Sequence, residues 1–387
     1  MYGKFSVQAP PPRPPPRHIE GWPAGVPQPN EAPVNGINRV VISETNRNPN
    51  VHWPSVPIDP AVDRRFHLLA SAINIGLEWH ETDRGRSVLR RLGREVLAHW
   101  ARRGYALPQP VDPNTLDRRV NYFLAKMRQA FPSIWISPEL RAGSIASTEK
   151  FPEGAGLVLD DFRPPQAYCI KVNESIVNSM ARNDTEFWRP IGRKEKQADY
   201  DQAKAKAFTR HQRFQFIFAT AAFHELCHCF IGYLAQSPHE NTPKRVTYLD
   251  YAQDGGGESG RWAERAFFGG SMEFYIDPQD GLEHIYILEE DEVAWQILPQ
   301  TIREFISEPR HVTAAPAIAS QGVKRSQRIS RRFRPLGHNV SPPASIATTR
   351  TMMALDAIRT SKRYNLRIQE LRMLPRDPRV TLVAVRA

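Results

Sequence analysis

The sequence predicts an α+β fold, and three observations predict it. Helical stripes come first, short strand-like runs follow, and one long apolar helix separates these from a second group of strands. Strands and helices do not alternate, so a doubly wound parallel sheet is not expected. No internal repeat divides the chain into equivalent units. With 387 residues, 41% apolar and 24% charged, the chain can bury one core of about 250 residues, or two smaller ones, and still leave non-globular flanks.

Residues 1–60 hold 14 of the 34 prolines. Such a composition favours polyproline or disordered conformations, so this segment is expected to be a flexible arm. Pro11-Pro12-Arg13-Pro14-Pro15-Pro16-Arg17 could also serve modules that read proline-rich ligands. From about residue 61 the pattern turns helical. Val88, Leu89, Leu92, Val96, Leu97 and Trp100 form one stripe; Leu116, Val120, Phe123, Leu124, Met127 and Phe131 form another. Asp112 as N-cap and Pro113 at the first helical position would start the second helix.

Between 133 and 175 three runs read as strands: Ile134–Ile136, Gly156–Leu159 and Tyr168–Val172. Residues 201–236 then form the longest helical candidate, charged at its start and apolar on every side from Phe214 to Leu234, with Pro238 as its stop. A helix apolar all round belongs in the centre of a domain. Beyond it lie Gly255-Gly256-Gly257, a short helical piece from Glu258 to Phe268, and strands around Phe274 and over Ile285–Leu288. The expected organisation is an arm over 1–60, a main domain over 61–310 and a basic, partly helical extension over 311–387. In that extension Met352–Leu374 has helical periodicity and Val380–Val385 reads as a strand.

The net charge of +11 belongs to the extension: residues 311–387 carry +12 and residues 1–310 sum to −1. Polyanion binding is therefore expected of the tail, through Lys324–Arg334 with Phe333 available for stacking, rather than of the main domain. Three cysteines, Cys169, Cys227 and Cys229, cannot build a disulfide framework, and the N-terminal residues lack the apolar core of a secretion signal. An intracellular location, cytoplasmic or nuclear, is expected. The longest apolar run, Phe216–Phe223, falls far short of a membrane span.

Chemistry enters with His224-Glu225-Leu226-Cys227-His228, an H-E-x-x-H pattern inside the long helix. Four-residue spacing puts both imidazoles on one helical face, so both can reach one ion. Imidazole nitrogens suit Zn²⁺, which takes three protein ligands and keeps a fourth position for water. Glu225, one residue after the first ligand, is the expected general base. A Glu–His pair inside an apolar helix is costly to bury unless a metal and a solvent cleft satisfy it. Cys227 and Cys229 turn away from the histidine face at about 100° per residue and read as buried structural thiols.

The third ligand must come from farther on, because Leu234 stands where a metzincin histidine would fall. His239, Asp250, Asp254, Glu258, Glu264 and Glu273 are the downstream candidates. Glu258 is preferred, since Gly257 and Gly260 leave room beside it; Glu264 is the alternative. Tyr248, Tyr251, Arg261 and His284 are candidates for stabilising an oxyanion.

On His224, Glu225, His228 and Glu258, residues 165–290 resemble the zincin superfamily, and within it the gluzincin-type branch in which a Glu on a second helix completes the site. The resemblance implies a small mixed sheet packed on the buried HExxH helix, with additional N-terminal helices before it, and zinc-dependent hydrolysis of a peptide or protein substrate. The carboxylate that familiar gluzincins place four residues after the ligand Glu is replaced here by Trp262. The competing expectation is a non-catalytic zincin-like scaffold that binds partners through its proline-rich arm and basic tail.

Overall fold

In the computed structural model the described residues are 36–47, 55–105, 113–140, 144–151, 161–193, 195–236, 242–249, 256–277, 283–331 and 333–336. They form a mixed α+β structure with two five-stranded sheets. The first sheet has the order β2-β1-β3-β5-β4, built from β1 (Ile42–Thr45), β2 (Ser55–Pro57), β3 (Ser133–Ser137), β4 (Ala146–Lys150) and β5 (Tyr168–Asn173). β1, β3 and β5 run parallel, while β2 and β4 join the two edges antiparallel.

Between these strands lie α1 (Arg64–Glu81), α2 (Asp83–Arg102), α3 (Pro113–Gln129) and the single turn α4 (Pro164–Ala167). After them come α5 (Glu174–Trp188) and α6 (Gln197–Ala235). Both expected stripes form: the first is the buried face of α2, and the second that of α3, which begins at Pro113. Thr82 starts α2, its hydroxyl accepting from the Gly85 N–H at 2.9 Å. Asn173 ends β5 and caps α5, accepting from the N–H of Ser175 at 3.0 Å.

α6 begins four residues before the expected start and ends at Gln236, whose left-handed backbone (φ 52°) closes the helix ahead of Pro238. By length and composition it is the one described helix able to cross a bilayer, yet 78% of its most apolar window is buried within the protein. Its partners are α1, α5, α7 (Ser259–Phe268) and α8 (Pro299–Ser307), and the rings of Trp79, Phe216, Phe223, Phe267, Phe268 and Phe305 pack where they meet. The Trp79 indole N–H donates to Phe305 O at 3.0 Å, so the largest ring of that cluster leaves no polar atom unpaired.

The second sheet, order β10-β6-β7-β8-β9, is antiparallel throughout. It follows α7 (Ser259–Phe268) and contains β6 (Ser271–Ile276), β7 (Glu283–Leu288), β8 (Val293–Ile297), β9 (Ile318–Lys324) and β10 (Arg334–Pro335), with α8 (Pro299–Ser307) and α9 (Arg325–Arg331) on the connections.

Two expected boundaries are corrected. The arm does not extend to residue 60, because β1 and β2 are strands of the first sheet and Ile42 is buried. A buried ion pair also ties this segment down. Arg128 grips Glu81 through two bonds of 2.7 and 2.6 Å and donates to Gly36 O and to Asn74. Val40, Val41 and Ile42 carry the strand signal, diluted by the surrounding prolines. The main domain likewise does not stop at 310: β9 pairs with β8, β10 pairs with β6, and Phe333, expected to be available for stacking, is instead buried against Tyr275 and Tyr286. The strand expected at Gly156–Leu159, the helix at Met352–Leu374 and the strand at Val380–Val385 lie outside the described residues.

Candidate metal centre

α6 carries His224 and His228 one turn apart, with ring centroids 5.2 Å from each other. Their Nε2 atoms stand 3.3 Å apart. Glu258 enters from the start of α7, its Oε1 2.7 Å from His228 Nε2 and 3.2 Å from His224 Nε2. Each of the three residues thus offers one ligand atom, all mutually within 4.8 Å. Their side chains keep 15–21% exposure, enough to leave the cluster open to solvent and a small ligand.

The backbone explains how Glu258 gets there. Its N–H donates to Val246 O at 2.9 Å, and the N–H of Gly257 donates to Thr242 O at 2.6 Å, so the 242–246 turn holds this strand end in place. A Cβ on Gly257 would collide with the carbonyls of Pro243 and Val246. A Cβ on Gly260 would stand inside contact distance of the His224 ring. Only glycine lets the first turn of α7 approach α6 so closely.

Around these ligands a second layer fixes the imidazoles. Glu264, 2% exposed, places Oε1 2.6 Å from His224 Nδ1. Its Oε2 accepts from the Met272 N–H at 2.8 Å and from Arg261 at 3.0 Å. Burial opposes charge on Glu264, but Arg261, His224 and the Met272 N–H together hold its carboxyl below the ordinary range. An ionised carboxylate can only accept, so His224 Nδ1 carries hydrogen and Nε2 turns its lone pair to the cluster. His228 Nδ1 lies 3.1 Å from the hydroxyl of Ser259, which accepts in the matching tautomer.

Three acceptors then converge: two Nε2 lone pairs and one carboxylate oxygen. Glu258 Oε1 is buried and has no hydrogen-bond partner, although two ring nitrogens stand close to it. An orphaned buried carboxylate oxygen between two imidazole nitrogens is the arrangement a divalent cation satisfies. Without a metal, protons take that part. Burial disfavours charge on His224, yet Glu264 and Glu258 outweigh it and raise the ring to about 10.

Glu225 sits on the neighbouring face of α6, 5% exposed, and its Oε2 accepts from the hydroxyl of Thr148 on β4 at 2.8 Å. Edge strand and H-E-x-x-H helix are thereby joined at the glutamate. Cys227 and Cys229 are fully buried, and burial, reinforced for Cys229 by Glu225 and for Cys227 by Glu264, pushes both thiols well up. Both thiols are thereby kept neutral inside the core.

Of the other downstream candidates, Glu264 holds the far nitrogen of His224, and Glu273 accepts from the Tyr275 hydroxyl at 2.8 Å. His239, Asp250, Asp254 and Tyr251 lie outside the described residues. Among the oxyanion candidates, Arg261 is engaged by Glu264, by Ser271 at 2.8 Å and by Met272 O at 2.7 Å. Tyr248 lies beneath Arg265, its phenol pushed up to about 12 by burial and by Glu290, and His284 meets Gln296 at 2.7 Å. Sequence reasoning passed over Ser259 and Thr148. Ser259 is adjacent to Glu258 and was within reach of it; Thr148 lies in Ala-Ser-Thr-Glu-Lys, a run without apolar alternation and so without a strand signal.

Comparison of the chain with protein-family models, with curated proteins and with solved structures returns no match.

Proposed function

We propose that this chain is a zinc-dependent hydrolase of zincin-like fold that cleaves peptide bonds, with His224, His228 and Glu258 as metal ligands and Glu225 as general base. The convergence of three lone-pair atoms on one point, with Glu258 Oε1 left without a hydrogen bond, carries the reading. Two nitrogens and one carboxylate oxygen are the donor set of a catalytic zinc rather than of a closed structural one. Zinc held there would supply Lewis-acid polarisation of a carbonyl and bring the pKa of water toward 7.

The chain's own residues supply the rest. Glu225 takes the proton released as water attacks and returns it to the leaving amine. Thr148 holds Glu225 Oε2 at 2.8 Å and so fixes which oxygen is free to act. Glu264 keeps His224 in one tautomer, and Arg261 keeps Glu264 ionised. β4 supports a peptide as substrate: it is an edge strand, paired among the described residues only with β5. Thr148 ties this strand to Glu225, and an extended peptide can add along such an edge as a further strand.

Glu225→Gln tests the reading. With fluorescein-labelled casein as probe, the zinc-loaded chain is expected to hydrolyse it, and the variant to retain zinc while losing at least about 100-fold in rate. Equal turnover by the variant, or no hydrolysis by a fully zinc-loaded chain, would leave the scaffold reading in its place.

A further inference from the structure

The sum of −1 over residues 1–310 conceals a segregation of charge. α2 contains six arginines (Arg84, Arg86, Arg90, Arg91, Arg94 and Arg102), capped by a seventh, Arg103, and no lysine. Its two acids are Asp83 and Glu95, and Glu95 is bound by Arg245, which also donates to Glu95 O at 2.7 Å. At 100° per residue Arg91, Arg94 and Arg102 fall within about 80° of one another on the outer face, opposite buried Leu89, Leu92 and Val96. Arg91, Arg94, Arg102 and Arg103 are exposed, as is Arg118 on α3. Among the described residues Arg94, Arg102, Arg103 and Arg118 have no acidic partner. The field is felt locally: slight burial and then Arg103, Arg245 and Arg102 hold the His99 ring below its ordinary value.

From this we infer that the outer face of α2 binds the phosphate backbone of a nucleic acid. Arginine alone, without lysine, suits bidentate contact with phosphate. The stretch from Arg91 to Arg102 runs about 16 Å along the helix, a length that spans about five base-pair steps of a duplex. Between the arginines lie Ser87, Ala98 and Ala101, with no large apolar side chain to enter a membrane surface, so a lipid headgroup layer fits less well. The face also reaches the metal centre. The Arg91 guanidinium lies 5.6 Å over the Trp262 ring, and the Trp262 backbone N–H donates to Glu258 O at 3.1 Å in the first turn of α7. A nucleic acid on α2 would thus lie beside the cleft and bring proteins bound to it within reach. The inference stands on charge and geometry alone and does not depend on the metal.

Binding of the full-length chain to a fluorescein-labelled 20-base-pair duplex of arbitrary sequence, followed by anisotropy from 50 to 200 mM salt, tests it. The variant R94E/R102E/R103E is expected to weaken binding at least about tenfold at 100 mM salt and to lower the slope of log K against log salt by about 3. A control with the same change in charge, R193E/K196E/K206E, places it in the first turns of α6 and just before them, at least about 40 Å along that helix from Leu234, where Gly93 of α2 packs. It is expected to change affinity less than about threefold. Unaltered circular dichroism and thermal melting establish that both variants fold. The inference is overturned if the α2 variant binds as tightly as the parent, which would move binding to the basic tail. It is overturned as well if both variants weaken equally, or if the parent binds phosphatidylserine vesicles or polyglutamate but not the duplex.

Discussion

Glu264→Gln probes the reasoning about the metal centre at its most specific point. The carboxylate does two things with two oxygens. Oε1 fixes the His224 Nδ1–H at 2.6 Å, while Oε2 takes the Met272 N–H at 2.8 Å and Arg261 at 3.0 Å. Glutamine has one oxygen. If the oxygen stays with Met272 and Arg261, the NH₂ faces Nδ1 and favours the tautomer whose Nε2 carries hydrogen and cannot bind metal. If the amide turns over, the NH₂ faces two donors in a site only 2% exposed. Replacement of such a partner costs about 10–100-fold in metal affinity, or about 1.4–2.8 kcal/mol. Competition with a chromophoric chelator measures the change directly, and the melting temperature of the zinc-free variant separates it from general destabilisation. Zinc affinity within about threefold of the parent would refute the argument that Glu264 sets the tautomer. A loss as large as that of His224→Ala would refute its placement outside the ligand set.

Three further outcomes follow from the same geometry. Gly260→Ala should cost about 1–3 kcal/mol of stability and lower zinc content, because its methyl group meets the His224 ring; thermal melting with metal analysis checks this. Thr148→Val should leave zinc bound but lower kcat about tenfold or more, with KM little changed, since it removes the hydrogen bond that holds the Glu225 side chain. His80 is wholly buried, stacked on Phe223, with Nε2 2.9 Å from Phe223 O, and burial depresses its pKa to about 4. The unfolded chain therefore protonates this ring first. Stability should fall as pH drops from about 6.5 to about 4, by about 3 kcal/mol from this residue, and urea titrations of His80→Gln should show that part of the acid sensitivity removed.

The sequence made the centre of the site legible because its chemistry is local. His224, Glu225 and His228 lie within five residues on a helix too apolar to hold them without a reason, and Gly257 and Gly260 mark the close approach that selects Glu258. The second layer was harder to see. Glu264 was weighed as a rival ligand, but it binds the opposite nitrogen of the same ring, a distinction set by how α7 leans on α6 and not by spacing. Thr148 comes from an edge strand with no alternating pattern. β1 was hidden because proline counts describe a window, whereas strand pairing needs only the few residues Val40–Thr45. The α2 arginines were hidden for a related reason: a summed charge carries no information about which face of a helix bears it.

Zinc K-edge X-ray absorption on the purified full-length chain reads the proposed coordination itself. One zinc per chain is expected, with about four nitrogen or oxygen neighbours at about 2.0–2.2 Å, the scattering of two imidazoles among them, all abolished in His228→Ala. Sulfur neighbours at about 2.3 Å, which would bring in Cys227 or Cys229, or zinc content well below one ion per chain, would contradict it.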